Sequence, residues 1–462
     1  MSTSAVAEER RAPFARVSTA PRPAASRAQP SVILALIAAG ALATIGLWWN
    51  NTQAVHGLGD WLTNAGRVSG LLAGYGVVVL VALMARIPPL ERGLGADRLA
   101  RWHARGGRYT VSLVVAHGLL ITWGYAVTAH TNVVHQTKTL LTSYPDVLAA
   151  TVAGLLLVGV GITSARAARK RLRYETWFYL HFYTYLAVAL AFSHQFSTGA
   201  EFMNNLPARV LWGGMYAIVG AAILWYRFVT PVRQALRHRL RVLTVQPEGP
   251  DVVSVVVGGR HLDELQAEAG QFFRWRFLAH GLWWVSSPYS LSAPPQSDRL
   301  RITVKALGEH SRALADIKPG TRVLAEGPYG AMTAGLRRKR KVLLIAGGVG
   351  ITPLRALFQT LEAAPGDLTL VYRVSRDDDV VFRRELELIA EQRDANLRIV
   401  SGRRKQLGSD PLSTAALRAN IPGLARHEVY LCGPPGMTAS VKGALRAAGV
   451  PARHIHHESF EF

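Results

Sequence analysis

Six apolar runs, near residues 31–49, 67–85, 109–128, 147–165, 175–193 and 208–228, fill the first half of this 462-residue chain. Each is close to the ~20 residues that an α-helix needs to cross a hydrocarbon core. Inside lipid, backbone polar groups must be bonded within the segment, so runs of this kind fold as helices. The connections between them sort by charge. Arg86, Arg92, Arg98, Arg101, Arg105 and Arg108 separate the second and third runs, and Arg166, Arg169, Lys170, Arg171 and Arg173 separate the fourth and fifth. Arg227, Arg233, Arg237, Arg239 and Arg241 follow the sixth, while the other three connections hold little beyond Lys138. Basic residues collect on the cytoplasmic side of spans. The expected topology is a multi-pass plasma-membrane protein with its N-terminus and everything after the sixth run in the cytoplasm. The formal net charge of +23 is explained by these connections, not by one basic stripe, so no nucleic-acid partner is expected. Residues 1–30, rich in Pro, Ala, Ser and Arg, read as a disordered basic tail.

Ionisable groups within spans are costly and mark function. The third span carries His103 at its basic edge and His117 within; the fifth carries His181 and His194. Steps of fourteen and thirteen residues correspond to ~21 Å and ~19.5 Å along a helix. Two helices with histidines at two matched depths can clamp two stacked metal centres, and neutral imidazoles suit both axial faces of haem iron. A lone histidine in a bundle is commonly just packed between helices. Two matched pairs on spans that run in the same direction favour ligation, with His103 opposite His181 and His117 opposite His194. The single cysteine, Cys432, excludes a cysteine-ligated iron–sulfur cluster.

The second half changes rhythm. Residues 237–332 alternate short strands and turns ("RVLTVQ", "VVSVVVGG", "FFRWRFL", "RLRITVKAL", "RVLAEGPYG"), which suggests a small antiparallel barrel. Residues 341–462 interleave apolar strands with helical stretches, the pattern of a parallel α/β layer. Its first strand leads into "AGGVGITPLRAL". There Gly347, Gly348 and Gly350 let backbone approach a ligand, with Thr352 as a helix N-cap and Pro353 at the first helical position. A helix N-terminus after a glycine turn suits phosphate. "YLCGPPGM", with Cys432, Gly433 and Pro434, forms a second turn at the end of a later strand, the edge where open α/β sheets bind ligands.

Taken in order, "SPYSLS", "VKALGEHSRAL", "GPYG", "AGGVGITPL", "CGPPGM" and the terminal "ESFEF" resemble the ferredoxin–NADP reductase superfamily. With the four histidines, and with "RLRYETWFYLH" leading into the fifth span, the chain over residues 31–462 resembles the ferric reductase / NADPH oxidase family. The resemblance implies a six-helix bis-haem transmembrane bundle over 31–230, an FAD-binding antiparallel β-barrel over 237–332 and a nicotinamide-binding α/β domain over 341–462. It implies that Pro288, Tyr289, Ser290 and Leu291 contact the flavin, and that Lys305, Gly308 and Ser311 lie at its phosphates. Phe460, with Phe462 as the alternative, would cover the isoalloxazine ring, and Thr352 and Cys432 would lie near the nicotinamide. Arg373 and Arg376 follow the second strand of the layer and suit a 2′-phosphate, which leans the cofactor toward NADPH over NADH. Ser287 departs from the pattern, since many relatives place Arg or His there, and "DDD" at 377–379 is unusual beside a phosphate-binding strand.

The implied activity passes electrons from cytoplasmic NAD(P)H through FAD and two b-type haems to an outer acceptor. That acceptor is a ferric chelate or, in the superoxide-generating alternative, oxygen. A reading from another class makes the bundle a haem-free proton or ion channel with a regulatory nucleotide domain. A preparation without haem colour would select it.

Overall fold

The computed structural model describes residues 29–52, 54–169, 171–172, 174–403 and 408–458. The described chain forms two compact units, one ending at Val229 and one starting at Thr230.

The first unit is helical: α1 (Pro30–Asn50), α2 (Gly57–Met84), α3 (Ala96–Thr128), α4 (Val147–Ser164), α5 (Tyr174–Ser197) and α6 (Leu206–Ile223). Among the described residues, five helices are long and apolar enough to cross a membrane: α1, α2, most of α3, α4, and α6 with its continuation to His238. The exception is α5. Its 24 residues span ~36 Å, but Trp177, His181, His194 and a run of tyrosines lower its hydropathy. Large apolar side chains such as Leu36, Leu155, Leu211 and Ile218 point outward. In water that surface would be unfavourable by ~25 cal/mol per Å²; facing lipid it is neutral.

The third helix starts well before the apolar run 109–128. Ala96, Leu99, Ala100 and Ala104 favour helix, so His103 and the arginines around it stand on helical turns rather than in a loop. Small residues let α2 and α3 approach closely. A methyl group on Gly66 would meet Ile121 Cγ1 at 2.8 Å, and one on Gly124 would meet the backbone nitrogen of Thr63 at 2.7 Å.

The second unit opens with the amphipathic helix α7 (Thr230–His238) and continues as two three-stranded antiparallel sheets. One has the order β1 (Arg241–Gly249), β2 (Val252–Gly258), β5 (Arg299–Lys305). The other has the order β4 (Ser287–Ser290), β3 (Phe272–Phe277), β6 (Val323–Tyr329). They enclose one core that includes Val255, Val257, Phe273, Trp275, Leu291, Leu300 and Ile302. Isolated bridges at Arg241–Arg322 and Leu291–Ile302 connect the sheets, which are otherwise separate ladders rather than the single barrel wall expected. Strand β4 accounts for the break: it has four residues, and Pro288 has no N–H to donate to a ladder.

Next comes a parallel sheet with the order β11–β10–β7–β8–β9. The strands are β7 (Lys341–Gly347), β8 (Leu368–Arg373), β9 (Asn396–Val400), β10 (His427–Cys432) and β11 (Ile455–Glu458). Alternate residues of β7 feed opposite faces: Val342, Leu344 and Ala346 join one core, and Leu343 and Ile345 the other. Burying each of these Leu, Ile or Val side chains contributes about 1.5–3 kcal/mol. Both faces of the sheet are covered, as parallel sheets require. From β7 the chain first winds through β8 to β9, then returns to add β10 and β11 on the other side. The winding therefore reverses between β7 and β10, and the crevice at their carboxyl ends is where such sheets hold ligands.

Candidate functional site

The four span histidines form two pairs. The ring centroids of His103 and His181 are 5.8 Å apart, and those of His117 and His194 are 6.3 Å apart. Two imidazoles on opposite faces of one metal, with bonds of ~2 Å, hold their centroids roughly 6 Å apart. Each pair joins α3 to α5, although the thirteen-residue step on α5 ends ~140° from whole turns.

Every one of these rings has its Nδ1 beside a protein oxygen. His103 Nδ1 lies 3.1 Å from the carbonyl of Leu80, and His117 Nδ1 lies 2.8 Å from the carbonyl of Gly66. A carbonyl only accepts, which assigns the proton of these two rings to Nδ1. His194 Nδ1 is 2.9 Å from Thr198 Oγ1, whose own hydrogen goes to the His194 carbonyl. His181 Nδ1 is 3.4 Å from Ser164 Oγ, which also accepts from Trp177 Nε1 at 3.1 Å. Nε2 is the nitrogen left with a lone pair in this arrangement, the usual design of a metal-binding histidine and its outer partners. The donor set and the spacing fit haem iron. A Cβ on Gly70 would lie 2.5 Å from His117 Nδ1, so only glycine gives this ring its place against α2. His56, His130 and His135 are exposed and stand apart from the pairs.

The sequence reading passed over a charge pair in the same unit. Arg67 Nε donates to Glu201 Oε1 at 2.8 Å, and Glu201 is buried. Nearby, Trp212 Nε1 donates to Gln195 Oε1 at 2.7 Å, next in sequence to His194. The signal was slight: Arg67 stands at the edge of the second run, and Glu201 lies in the connection between the fifth and sixth.

In the second unit, the backbone of "SPYSLS" is fixed by pairing with β3, Pro288 opposite Arg274 and Tyr289 opposite Phe273. Trp275 Nε1 donates to the Tyr289 carbonyl at 3.0 Å. Leu291 is buried in the core. Ser290 Oγ is buried without a hydrogen-bond partner, a hydroxyl waiting for a polar atom, which fits a flavin edge. Lys305 ends β5. Ser311 Oγ then accepts from the backbone N–H groups of Leu307 and Gly308, both at 2.9 Å, which shapes the turn that would meet phosphates.

At the sheet edge the two glycine turns pack backbone to backbone. A Cβ on Gly350 would lie 2.4 Å from the Cys432 carbonyl oxygen, and one on Gly433 would lie 3.1 Å from Gly347 Cα and 3.2 Å from Gly347 N. Gly348 takes φ +53°, within the left-handed region that favours glycine. The helix here, α8 (Ile351–Thr360), has Gly350 as its N-cap; Thr352 and Pro353 lie two positions deeper than expected. The Thr352 hydroxyl instead donates to the Val349 carbonyl at 3.1 Å and closes the 3₁₀ turn Gly348–Gly350. Cys432 is fully buried; burial, and then the Glu458 carboxylate, push its thiol well above the ordinary range. Glu458 Oε1 accepts from the N–H of Ala331 at 3.0 Å, which ties β11 to the "GPYG" turn. Phe460 and Phe462 lie outside the described residues.

Arg373 and Arg376 are both engaged. Arg373 donates to the carbonyls of Val374, Val400 and Gly402, and Arg376 Nη2 bonds Asp379 Oδ1 at 2.9 Å. The acidic run thus holds one of the two guanidinium groups assigned to a 2′-phosphate.

Residues 69–192 match the ferric reductase like transmembrane component, and residues 344–443 match the oxidoreductase NAD-binding domain. The ferredoxin reductase component of 3-ketosteroid-9-alpha-monooxygenase from Mycolicibacterium smegmatis is 32% identical over 249 residues, 53% of this chain and 67% of that protein. The chain joins a ferric reductase like transmembrane component to an FAD/NAD-binding oxidoreductase domain. It is a membrane oxidoreductase whose reductase module binds FAD and NAD(P)H. It is also similar to a flavohemoprotein of Xylella fastidiosa, 28% identical over 52% of this chain and 60% of the relative. The chain thus spans 60 to 67% of the length of these two curated relatives. Among solved structures, the flavohem-like FAD/NAD binding domain of nitric oxide dioxygenase from Vibrio cholerae aligns over 48% of this chain and 98% of that one, at 25% identity and TM-score 0.40.

Proposed function

We propose that this chain oxidises cytoplasmic NAD(P)H at the carboxyl edge of its parallel sheet and reduces a ferric chelate across the membrane. In this reading residues 31–230 are a six-helix bundle with two b-type haems, 237–332 the two-sheet flavin domain and 341–462 the nicotinamide domain. When bound, FAD converts the two electrons of a hydride into single-electron steps and haem iron relays them through the bilayer.

The chain's own residues have definite tasks. His103 and His181 would hold one haem, and His117 and His194 the other. The carbonyls of Leu80 and Gly66 keep a proton on Nδ1, so Nε2 retains its lone pair and the ring plane is fixed. Ser290 offers its hydroxyl, and Tyr289 its half-buried ring, to the flavin, with Phe460 or Phe462 as the cover. Thr352 and Cys432 border the nicotinamide. The Cys432 thiol keeps its proton and acts as a small packed group, not a nucleophile. The cytoplasmic placement of the reductase module rests on the basic connections between spans.

The observation that carries the reading is the pair of histidine contacts between α3 and α5, each with Nδ1 engaged. The test uses proteoliposomes enclosing ferric citrate, with NADH or NADPH supplied outside. The expected result is reduction of the trapped iron, undiminished by trapped superoxide dismutase. Inhibition by the dismutase in air would transfer the assignment to oxygen. Nucleotide oxidation by external ferricyanide, with no reduction of trapped iron, would refute transmembrane transfer.

A further inference from the structure

Glu385, on α9 (Arg383–Arg393), stands between two arginines from different parts of the reductase module. Arg301, on β5, grips it with a two-pronged bond: Nη1 to Oε1 and Nη2 to Oε2, both 2.9 Å. Arg355, on α8, reaches Oε2 at 2.8 Å and is itself buried. Arg301 Nη2 also donates to the Ser292 carbonyl at 3.1 Å, and its guanidinium lies 4.9 Å from the Phe382 ring centre. Ser292 is two residues beyond Ser290 in the flavin segment. Arg355 is on the helix that starts from the Gly348–Gly350 turn. One carboxylate therefore links the flavin segment to the nucleotide turn.

From this geometry we infer that Arg301, Glu385 and Arg355 are positioning residues that hold the nicotinamide edge in register with the flavin for hydride transfer. Stability is a poor explanation for such a cluster. An ion triad that is partly withdrawn from water gains little net over apolar packing because desolvation offsets attraction, and here Nε of both arginines is buried without a partner. Fixed direction is what a bidentate guanidinium–carboxylate pair provides. Burial alone would raise the Glu385 carboxyl, yet the bonds and charges of Arg301 and Arg355 hold it at about 2. The linkage stays charged throughout the working pH range. Hydride transfer is sensitive to such control, since a displacement of about 1 Å between reacting groups can slow a reaction ~100-fold.

The inference rests only on the NAD(P)H-to-flavin step, and its test bypasses the haems. Full-length protein is assayed with NADH and ferricyanide; each NADH reduces two ferricyanide ions and releases one proton. Arg301→Lys keeps the charge and removes the fork; Glu385→Gln removes the charge. The expected result for Arg301→Lys is a fall in kcat of about tenfold or more, with KM for NADH within about twofold and FAD content unchanged. Amide hydrogen exchange should rise in residues 351–360 and 383–393 and stay level in β1 and β2. Unchanged kcat, a rise in KM alone, or loss of FAD from Arg301→Lys would overturn the inference, whether or not Glu385→Gln folds. A wild-type protein with no NAD(P)H–ferricyanide activity would instead remove the reductase reading itself, and this inference with it.

Discussion

His117 Nδ1 lies 2.8 Å from the carbonyl oxygen of Gly66, a residue fifty-one positions earlier on the neighbouring helix. The bond exists because glycines let α2 and α3 approach closely enough for an imidazole to reach a backbone carbonyl. It decides which nitrogen of the ring is free, and so what the ring can bind.

Gly70→Ala tests that arrangement. The added methyl would lie 2.5 Å from His117 Nδ1, so the ring must leave its carbonyl. Purified variant should lose roughly half of its haem, one site of two, because outer partners orient the ligand. A pyridine haemochrome assay against protein concentration measures it.

Gly350→Ala acts at the other site. Its Cβ would lie 2.4 Å from the Cys432 carbonyl, which forces the two nucleotide turns apart. Relief of such a backbone clash costs about 1–3 kcal/mol. NADH–ferricyanide activity should fall while FAD content, read by fluorescence after heat release, stays near wild type.

Cys432 should resist alkylation in the folded protein. Its thiol is buried and keeps its proton, so no thiolate is presented to solvent. Iodoacetamide at pH 8 should leave it unmodified by mass spectrometry, with full modification after denaturation in guanidinium chloride.

Asp379→Asn should release Arg376 from its 2.9 Å bond. An exposed pair of this kind contributes little to stability, so the fold should be unaffected. The ratio of kcat/KM for NADPH over NADH should rise by about two- to fivefold. Steady-state assays with both nucleotides measure it.

Glu385 also sets a pH dependence. Its folded value of about 2 lies below the ordinary 4.5, so its contribution to stability is fully present above the ordinary value and is lost as pH falls through about 2. The difference in melting temperature between wild type and Glu385→Gln should be constant from about pH 8 to 6 and narrow progressively below about 4.5. Differential scanning fluorimetry across that range checks it.

The helical first half was legible because lipid allows so few folds for apolar runs, and the histidine spacing was enough to put His103 beside His181 and His117 beside His194. The early start of α3 was hidden because arginines among alanines read equally as a basic loop. Strand β4 was missed because four residues containing a proline carry no alternation. Arg67 and Glu201 are 134 residues apart and meet only after folding. Arg301 and Arg355 look like solvated arginines until β5, α8 and α9 come together around Glu385. The assignment of Phe460 concerns a residue outside those described.

In the proposed function, electrons leave NAD(P)H for two haems held by these histidines. One anaerobic optical spectrum of the detergent-purified chain, before and after adding NADH or NADPH, decides whether they do. The expected result is flavin bleaching together with reduced b-type haem bands, at two haems per chain. Flavin bleaching without haem bands, in protein made with haem available, would contradict it.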